Sequence, residues 1–190
     1  VVMTHISTVV NNHAPELLSR EDVSTMVETL SVTSPHLVEE EIGTKISISR
    51  LHHILKVLLS ERVPIRDLAM IIESASDASG LPLDACVEQV RCSLKRQICA
   101  SVSFSGLGGR QIIRCVDLPV NVEEAVLDDS ISIEKFSAAL HRAASPLVAE
   151  GLPIVVVSSN ASRRKMHKHV AKGKEEIIVL SREEIVPEVD

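Results

Sequence analysis

The side chains able to do chemistry fall into a serine cluster, two pairs of histidines and a glycine loop. Ser158-Ser159-Asn160 follows an apolar run and opens a helical stretch, which is where many sites of α/β sheets lie. A nucleophile elbow needs a glycine two residues either side of its serine, and neither Ser158 nor Ser159 has them. A helix cap at Ser159 or Asn160 accounts for the same residues. His167 and His169 are two apart, so on a helix they point about 200° away from each other. His52 and His53 are adjacent and diverge as well, while His13 falls on an apolar stripe and reads as a partly buried, satisfied histidine. The H-E-x-x-H spacing that puts two imidazoles on one metal is missing, so no metal site is expected. Gly106-Leu107-Gly108-Gly109 has the composition of a phosphate loop. Phosphate binding needs a strand before the loop and a helix N-terminus after it, and here a helix precedes and a strand follows. The stretch from Ser103 to Gly109 therefore reads as a flexible hinge.

The four cysteines give no C-x-x-C pair: five residues separate Cys86 from Cys92, six separate Cys92 from Cys99, and Cys115 stands alone. Reduced thiols are expected in a chain whose aliphatic core has no need of disulfides. Arg163, Arg164, Lys165, His167, Lys168, Lys172 and Lys174 crowd one helical region. They form either a solvated face or a contact surface for an acidic partner or a second protomer. Glu39, Glu40 and Glu41 read as a solvent-facing run.

Apolar spacing identifies the elements that must position these groups. Ile6, Val9, Val10, His13 and Leu17 share one helical face. Ser19 is a natural N-cap, with Glu21 and Asp22 in the first turn, ahead of a stripe of Val23, Met26, Val27 and Leu30. Ser34-Pro35 starts another helix. Ser49 can cap the clearest helix, whose stripe is Leu51, Ile54, Leu55, Leu58 and Leu59. Pro64 then ends that helix and sits in the first turn of the next, whose stripe is Ile65, Leu68, Ile72 and Ala75. After a break at Gly80-Leu81-Pro82, a long helix carries Val87, Val90, Leu94 and Ile98. Beyond residue 100 the pattern changes to short strands at Gln111–Val116, Ile154–Val157 and Ile177–Leu180, separated by helices at Ile133–Ala149 and Ser162–Ala171. That alternation predicts parallel pairing of the last two strands, with the valines after Ile154 buried on both faces.

Composition narrows the function. The chain has 190 residues, 45% of them apolar, no Trp or Tyr and only two Phe. Base stacking on aromatic platforms is therefore disfavoured, and a net charge of −6 argues against nucleic acid as a partner. No run reaches the roughly 18–20 apolar residues of a membrane span, so no membrane contact is expected from this stretch itself. The chain opens on Val, not Met, with Val1-Val2-Met3-Thr4-His5-Ile6 already reading as element interior, as in a fragment of a longer protein.

Four stretches carry a family resemblance. They are Val1 to Ile6 with His13-Ala14-Pro15-Glu16-Leu17-Leu18-Ser19-Arg20-Glu21, then Leu58-Leu59-Ser60-Glu61-Arg62-Val63-Pro64-Ile65-Arg66-Asp67-Leu68 on to Glu73, Val90 to Cys99, and Val179 to Ile185. Together they resemble the large export-gate family of flagellar and virulence type III protein secretion. The match is strong to residue 99 and loose afterwards, with Ala69-Met70 departing from the usual pattern.

The resemblance implies an α+β chain: residues 1–18 as the tail of a preceding subdomain, a helical subdomain over 19–100, and a small α/β subdomain with a short, mainly parallel sheet over 101–190. It implies the cytoplasmic portion of a bacterial inner-membrane protein that forms a nine-membered ring with copies of itself. That ring would dock export chaperones and exported proteins, meet other export-apparatus subunits, and use no cofactor and no covalent chemistry. Thr4 matches the border of a chaperone-binding dimple, and Thr4-His5 favours the flagellar over the injectisome branch. Glu61, Arg66 and Asp67 are either ring contacts or parts of an intrachain salt bridge at the Val63-Pro64 elbow. The rival readings are a small α/β hydrolase using Ser158 or Ser159, which requires a histidine beside either hydroxyl, and a non-catalytic regulatory adaptor.

Overall fold

A computed structural model of the chain describes residues 13–170 and 177–189. Two compact units divide it, Val1–Leu94 and Lys95–Asp190. The first is helical and the second carries the sheet, in agreement with the α+β expectation.

In the first unit a helical turn over residues 13–17 precedes α1 (Arg20–Thr33). Ser19 caps α1 as expected: its hydroxyl accepts from the Asp22 amide at 3.1 Å, and the Asp22 carboxylate accepts in return from the Ser19 amide at 2.8 Å. Two of the orphan amides of a helix start are thereby satisfied. Pro35 begins α2 (Pro35–Glu41) at the position where its missing N–H costs nothing. α3 (Ile48–Ser60) is capped by Ser47, not Ser49, because the Ser47 hydroxyl accepts from the Arg50 amide at 3.2 Å. Leu51, Ile54, Leu55 and Leu58 of α3 are fully buried, and the expected stripe forms the centre of the unit. α4 (Leu68–Asp77) and α5 (Leu83–Ser93) close around it with Leu68, Ile71, Ile72, Ala75, Val87 and Val90.

Two expectations about this unit need correction. His13 does not sit on a buried face: it is exposed and pairs with Glu16 at 3.1 Å, and Leu17 is 65% exposed. Ile6, Val9 and Val10 lie outside the described residues. The single long helix through Ile98 is two helices, since Leu94 has φ −87° and ψ 6° and the chain restarts as α6 (Lys95–Val102). Val87, Val90, Leu94 and Ile98 are nevertheless all buried. Apolar spacing continues across so short a break, so periodicity alone could not reveal it.

In the second unit, α6 leads into β1 (Phe104–Ser105) and β2 (Gln111–Ile112), an antiparallel pair. The glycine stretch is therefore the tip of a hairpin and not a hinge. Gly108 and Gly109 both have φ +77°, and a Cβ on Gly106 would collide with the Ile112 side chain. The strand expected over Gln111–Val116 splits, its second half being β3 (Val116–Asp117), which belongs to another sheet. Then come α7 (Val120–Leu127), which sequence reasoning missed, α8 (Ile133–Ala149), β4 (Ile154–Ser158), α9 (Asn160–Val170) and β5 (Ile177–Ser181). β3, β4 and β5 lie in that order and pair in parallel, with Val116 opposite Val156 and Val156 opposite Val179. Every residue of β4 is buried, as its valine run predicted. Phe136, Leu140, Ala144, Val126 and Met166 complete the core on this sheet.

Candidate functional site at the helix elbow and the sheet end

The elbow after α3 is built by backbone hydrogen bonds. Val63 donates to the Leu58 carbonyl at 2.9 Å and Arg62 to Leu59 at 3.1 Å, the paired bonds of a Schellman ending. Arg62 occupies its left-handed position with φ 61°, where glycine is the usual residue. Val63 is buried beneath the turn. These bonds, more than Pro64, end the helix. Pro64 also does not start the next one: residues 63–67 run without helical structure, and α4 begins only at Leu68, where the Asp67 carboxylate accepts from the Met70 amide at 3.2 Å.

The three candidate contact residues of the elbow therefore have different tasks. Glu61 is 6% exposed, and its carboxylate meets the guanidinium of Arg91 from α5 at 2.9 Å. Arg91 is itself 1% exposed. Each charge offsets part of the cost of keeping the other away from water. Asp67 caps α4. Arg66, between them in the chain, points its charge to solvent. Thr4 lies outside the described residues.

The sheet end of the second unit gathers the serines that sequence analysis singled out. Ser158 closes β4, and its hydroxyl donates to the Ser159 carbonyl at 3.3 Å. The Ser159 hydroxyl meets that of Ser162 at 2.9 Å. Glu123 of α7, 4% exposed, accepts from the Ser159 amide at 2.9 Å and the Ser162 hydroxyl at 2.7 Å. Its other oxygen accepts from Arg182 at 2.8 Å, and Arg182 also reaches Asp117 and the Leu118 carbonyl, each at 2.8 Å. Burial alone would raise the Glu123 pKa. The Ser159 and Ser162 hydrogen bonds and the Arg182 guanidinium outweigh it and hold the carboxyl at about 2. A group so acidic is a poor proton acceptor at neutral pH. The cluster ties the carboxyl ends of all three parallel strands to α7 and α9, and gives Ser159 and Ser162 structural partners. Neither Glu123 nor Arg182 was anticipated, since α7 itself was not.

The basic stretch of α9 is not one exposed face. Arg163 is fully buried, Lys165 donates to Asp129 and to the Leu127 carbonyl at 2.7 Å each, and His169 packs edge-on against Phe136 at 6.3 Å. Lys168 is exposed, while Lys172 and Lys174 lie outside the described residues. Glu39 and Glu40 are exposed as expected, and Glu41 pairs with Lys45 at 2.9 Å.

A family description covers this arrangement from end to end, the FHIPEP family matching residues 1–190. The chain belongs to the FHIPEP family. Among curated relatives, the flagellar biosynthesis protein FlhA of Buchnera aphidicola from Schizaphis graminum is 28% identical over 196 residues, which are 97% of this chain and 28% of the relative. The chain thus spans little more than a quarter of the length of such relatives. The Chlamydia pneumoniae CdsV protein superposes with a TM-score of 0.82 at 27% identity, over 99% of this chain and 57% of that one, and CdsV is also solved in complex with CdsO. The nonameric EPEC SctV-C superposes with a TM-score of 0.77 at 21% identity, over 99% of this chain and 60% of that one, a likeness of fold. Within the FHIPEP family the elbow motif is the stretch by which the sequence resembled the export gates, and its geometry is now explicit: a sealed ion pair beneath, an exposed arginine above.

Proposed function

We propose that this chain is the cytoplasmic part of a type III protein-export gate, a ring-forming docking module of a bacterial inner-membrane protein and not an enzyme. The observation that carries the reading is the FHIPEP match along all 190 residues. The nonameric state of EPEC SctV-C supports a ring of nine, and the CdsV–CdsO complex supports a contact with another export-apparatus subunit. In this reading Arg66 is the elbow residue that faces a neighbouring protomer, while Glu61 and Asp67 set the elbow's shape from within. Thr4 borders the chaperone surface. Export chaperones and exported proteins dock on the ring, and their passage needs no bond made or broken. The curated relatives named flagellar biosynthesis proteins favour flagellar assembly over the injectisome. The serine cluster supports a non-catalytic role, because its carboxylate is held by an arginine and stays ionised.

Cells expressing the parent protein without residues 19–190 test the proposal through mass spectrometry of the proteins they release. Flagellin and hook proteins are expected to disappear from the medium. Selective loss of virulence effectors would move the protein to the injectisome branch, and an unchanged secretome would overturn the export reading. In the intact parent, Arg66→Glu is expected to lower secretion at least tenfold without lowering the amount of the protein in the cell.

A further inference from the structure

The outer side of α1 carries a pattern that its own unit does not use. Glu21, Thr25, Glu28, Thr29 and Val32 are all exposed and recur at helical spacing, within an arc of about 100°. Val23 and Val27, on the opposite side, are buried. The Thr25 hydroxyl donates to the Glu21 carbonyl at 3.1 Å, and the Thr29 hydroxyl to the Thr25 carbonyl at 2.8 Å. With those hydroxyls held by the helix backbone, the two threonines offer their methyl groups outward. Val32, 83% exposed, is the most exposed large apolar side chain among the described residues. The stripe thus combines an apolar surface with two carboxylates. Glu16 pairs with His13 and Asp22 caps α1, whereas neither Glu21 nor Glu28 has an ion-pair partner among the described residues.

The elbow presents the converse. Arg66 is exposed and has no carboxylate partner among the described residues, and Pro64 and Ile65 beside it are half-exposed. A closed ring of more than two copies is built from heterologous contacts, in which one patch meets a different patch of the next copy. In such a ring one elbow does not answer another. The counterpart of Arg66 is a second patch of the same chain, acidic and partly apolar. We infer that the α1 stripe receives the elbow of the adjacent copy, with Glu28 meeting Arg66 and with Thr25, Thr29 and Val32 closing against Pro64 and Ile65. Opposite charges on the two patches fix the register of the contact and disfavour elbow against elbow. The inference rests on the ring reading above and names the other half of that contact.

The test uses the parent protein in cells, carrying Glu28→Cys together with Arg66→Cys and treated with a short bismaleimide. A ladder of covalent multimers is expected, beyond any bands of the unsubstituted parent and absent from either single variant. Linking by Arg66→Cys alone would mean that two elbows meet, and would overturn the inference, as would the lack of a ladder from the double variant. Charge exchange gives a second readout that needs no cysteine. Glu28→Arg is expected to lower secretion at least tenfold, and Glu28→Arg with Arg66→Glu to recover at least half of it; no recovery would overturn the pairing. A ladder in cells whose secretome survives removal of residues 19–190 would keep the contact and end the export reading. Lost secretion without a ladder would do the reverse.

Discussion

Each unit holds a carboxylate against an arginine, and the two pairs solve opposite problems. Glu61 and Arg91 meet at 2.9 Å with side chains 4% and 1% exposed. Glu123 and Arg182 meet at 2.8 Å, the carboxylate 5% exposed but the guanidinium 40%. In the first pair both charges have left water, so removing either leaves the other buried without that counter-charge. In the second, solvent keeps the arginine hydrated, and the carboxylate relies as much on Ser159 and Ser162 as on the cation. The sealed pair fixes how α3 turns into the elbow. The half-open cluster gathers strand ends and can respond to pH and salt.

Removing one member of the sealed pair is the harshest way to expose this difference. Glu61→Ala is expected to cost about 3–5 kcal/mol, because Arg91 is left buried without its carboxylate. Urea unfolding measures it as a lower midpoint. Adding Arg91→Met to the same chain is expected to recover most of the loss, since two apolar side chains have no desolvation penalty to offset. Recovery of less than about 1 kcal/mol would mean that the pair is a net source of stability and not mainly a mutual shield.

Next in size is the pH response of the half-open cluster. The Glu123 pKa is lowered from 4.5 to about 2 in the folded chain. The unfolded state therefore binds the proton more readily, and the stabilisation is present above the unfolded value of 4.5 and lost as pH falls toward 2. The shift corresponds to about 3 kcal/mol at neutral pH. Urea midpoints measured across this window are expected to fall with acid in the native chain and to fall less steeply in Glu123→Gln. Parallel curves for the two proteins would show that other carboxylates carry the acid response.

The smallest effect is expected from Asp117. Its pair with Arg182 at 2.8 Å is exposed on both sides, 67% and 40%. Asp117→Asn is expected to lower stability by no more than about 1 kcal/mol, and 1 M salt should remove even that difference. A larger loss would move Asp117 from a solvated neighbour to a full member of the cluster.

Legibility in the sequence followed distance along the chain. Ser19 as a cap, the Leu51–Leu58 stripe and the buried valine strand were readable because each depends on neighbours a few residues away. Ser47 displaced Ser49 because either serine can precede that stripe, and only backbone angles choose between them. β1 and α7 escaped for lack of a period: a two-residue strand is too short to show one, and α7 has only two fully buried positions, Glu123 and Val126. The charged candidates were readable as residues of interest but not as roles, so Glu61, Arg66 and Asp67 stood together until packing separated them.

By itself the sequence determined the helical half, the parallel pairing of β4 with β5, an aliphatic core without Trp or Tyr, and the family to which the chain belongs. Hydrophobic burial at fixed helical and strand periods is a local property, and the elbow motif is a contiguous string. The tertiary structure alone decided that Glu61 answers Arg91 across 30 positions and that Glu123 answers Arg182 across 59. A charge takes whichever partner folding brings within reach, and nothing local to either residue names the other.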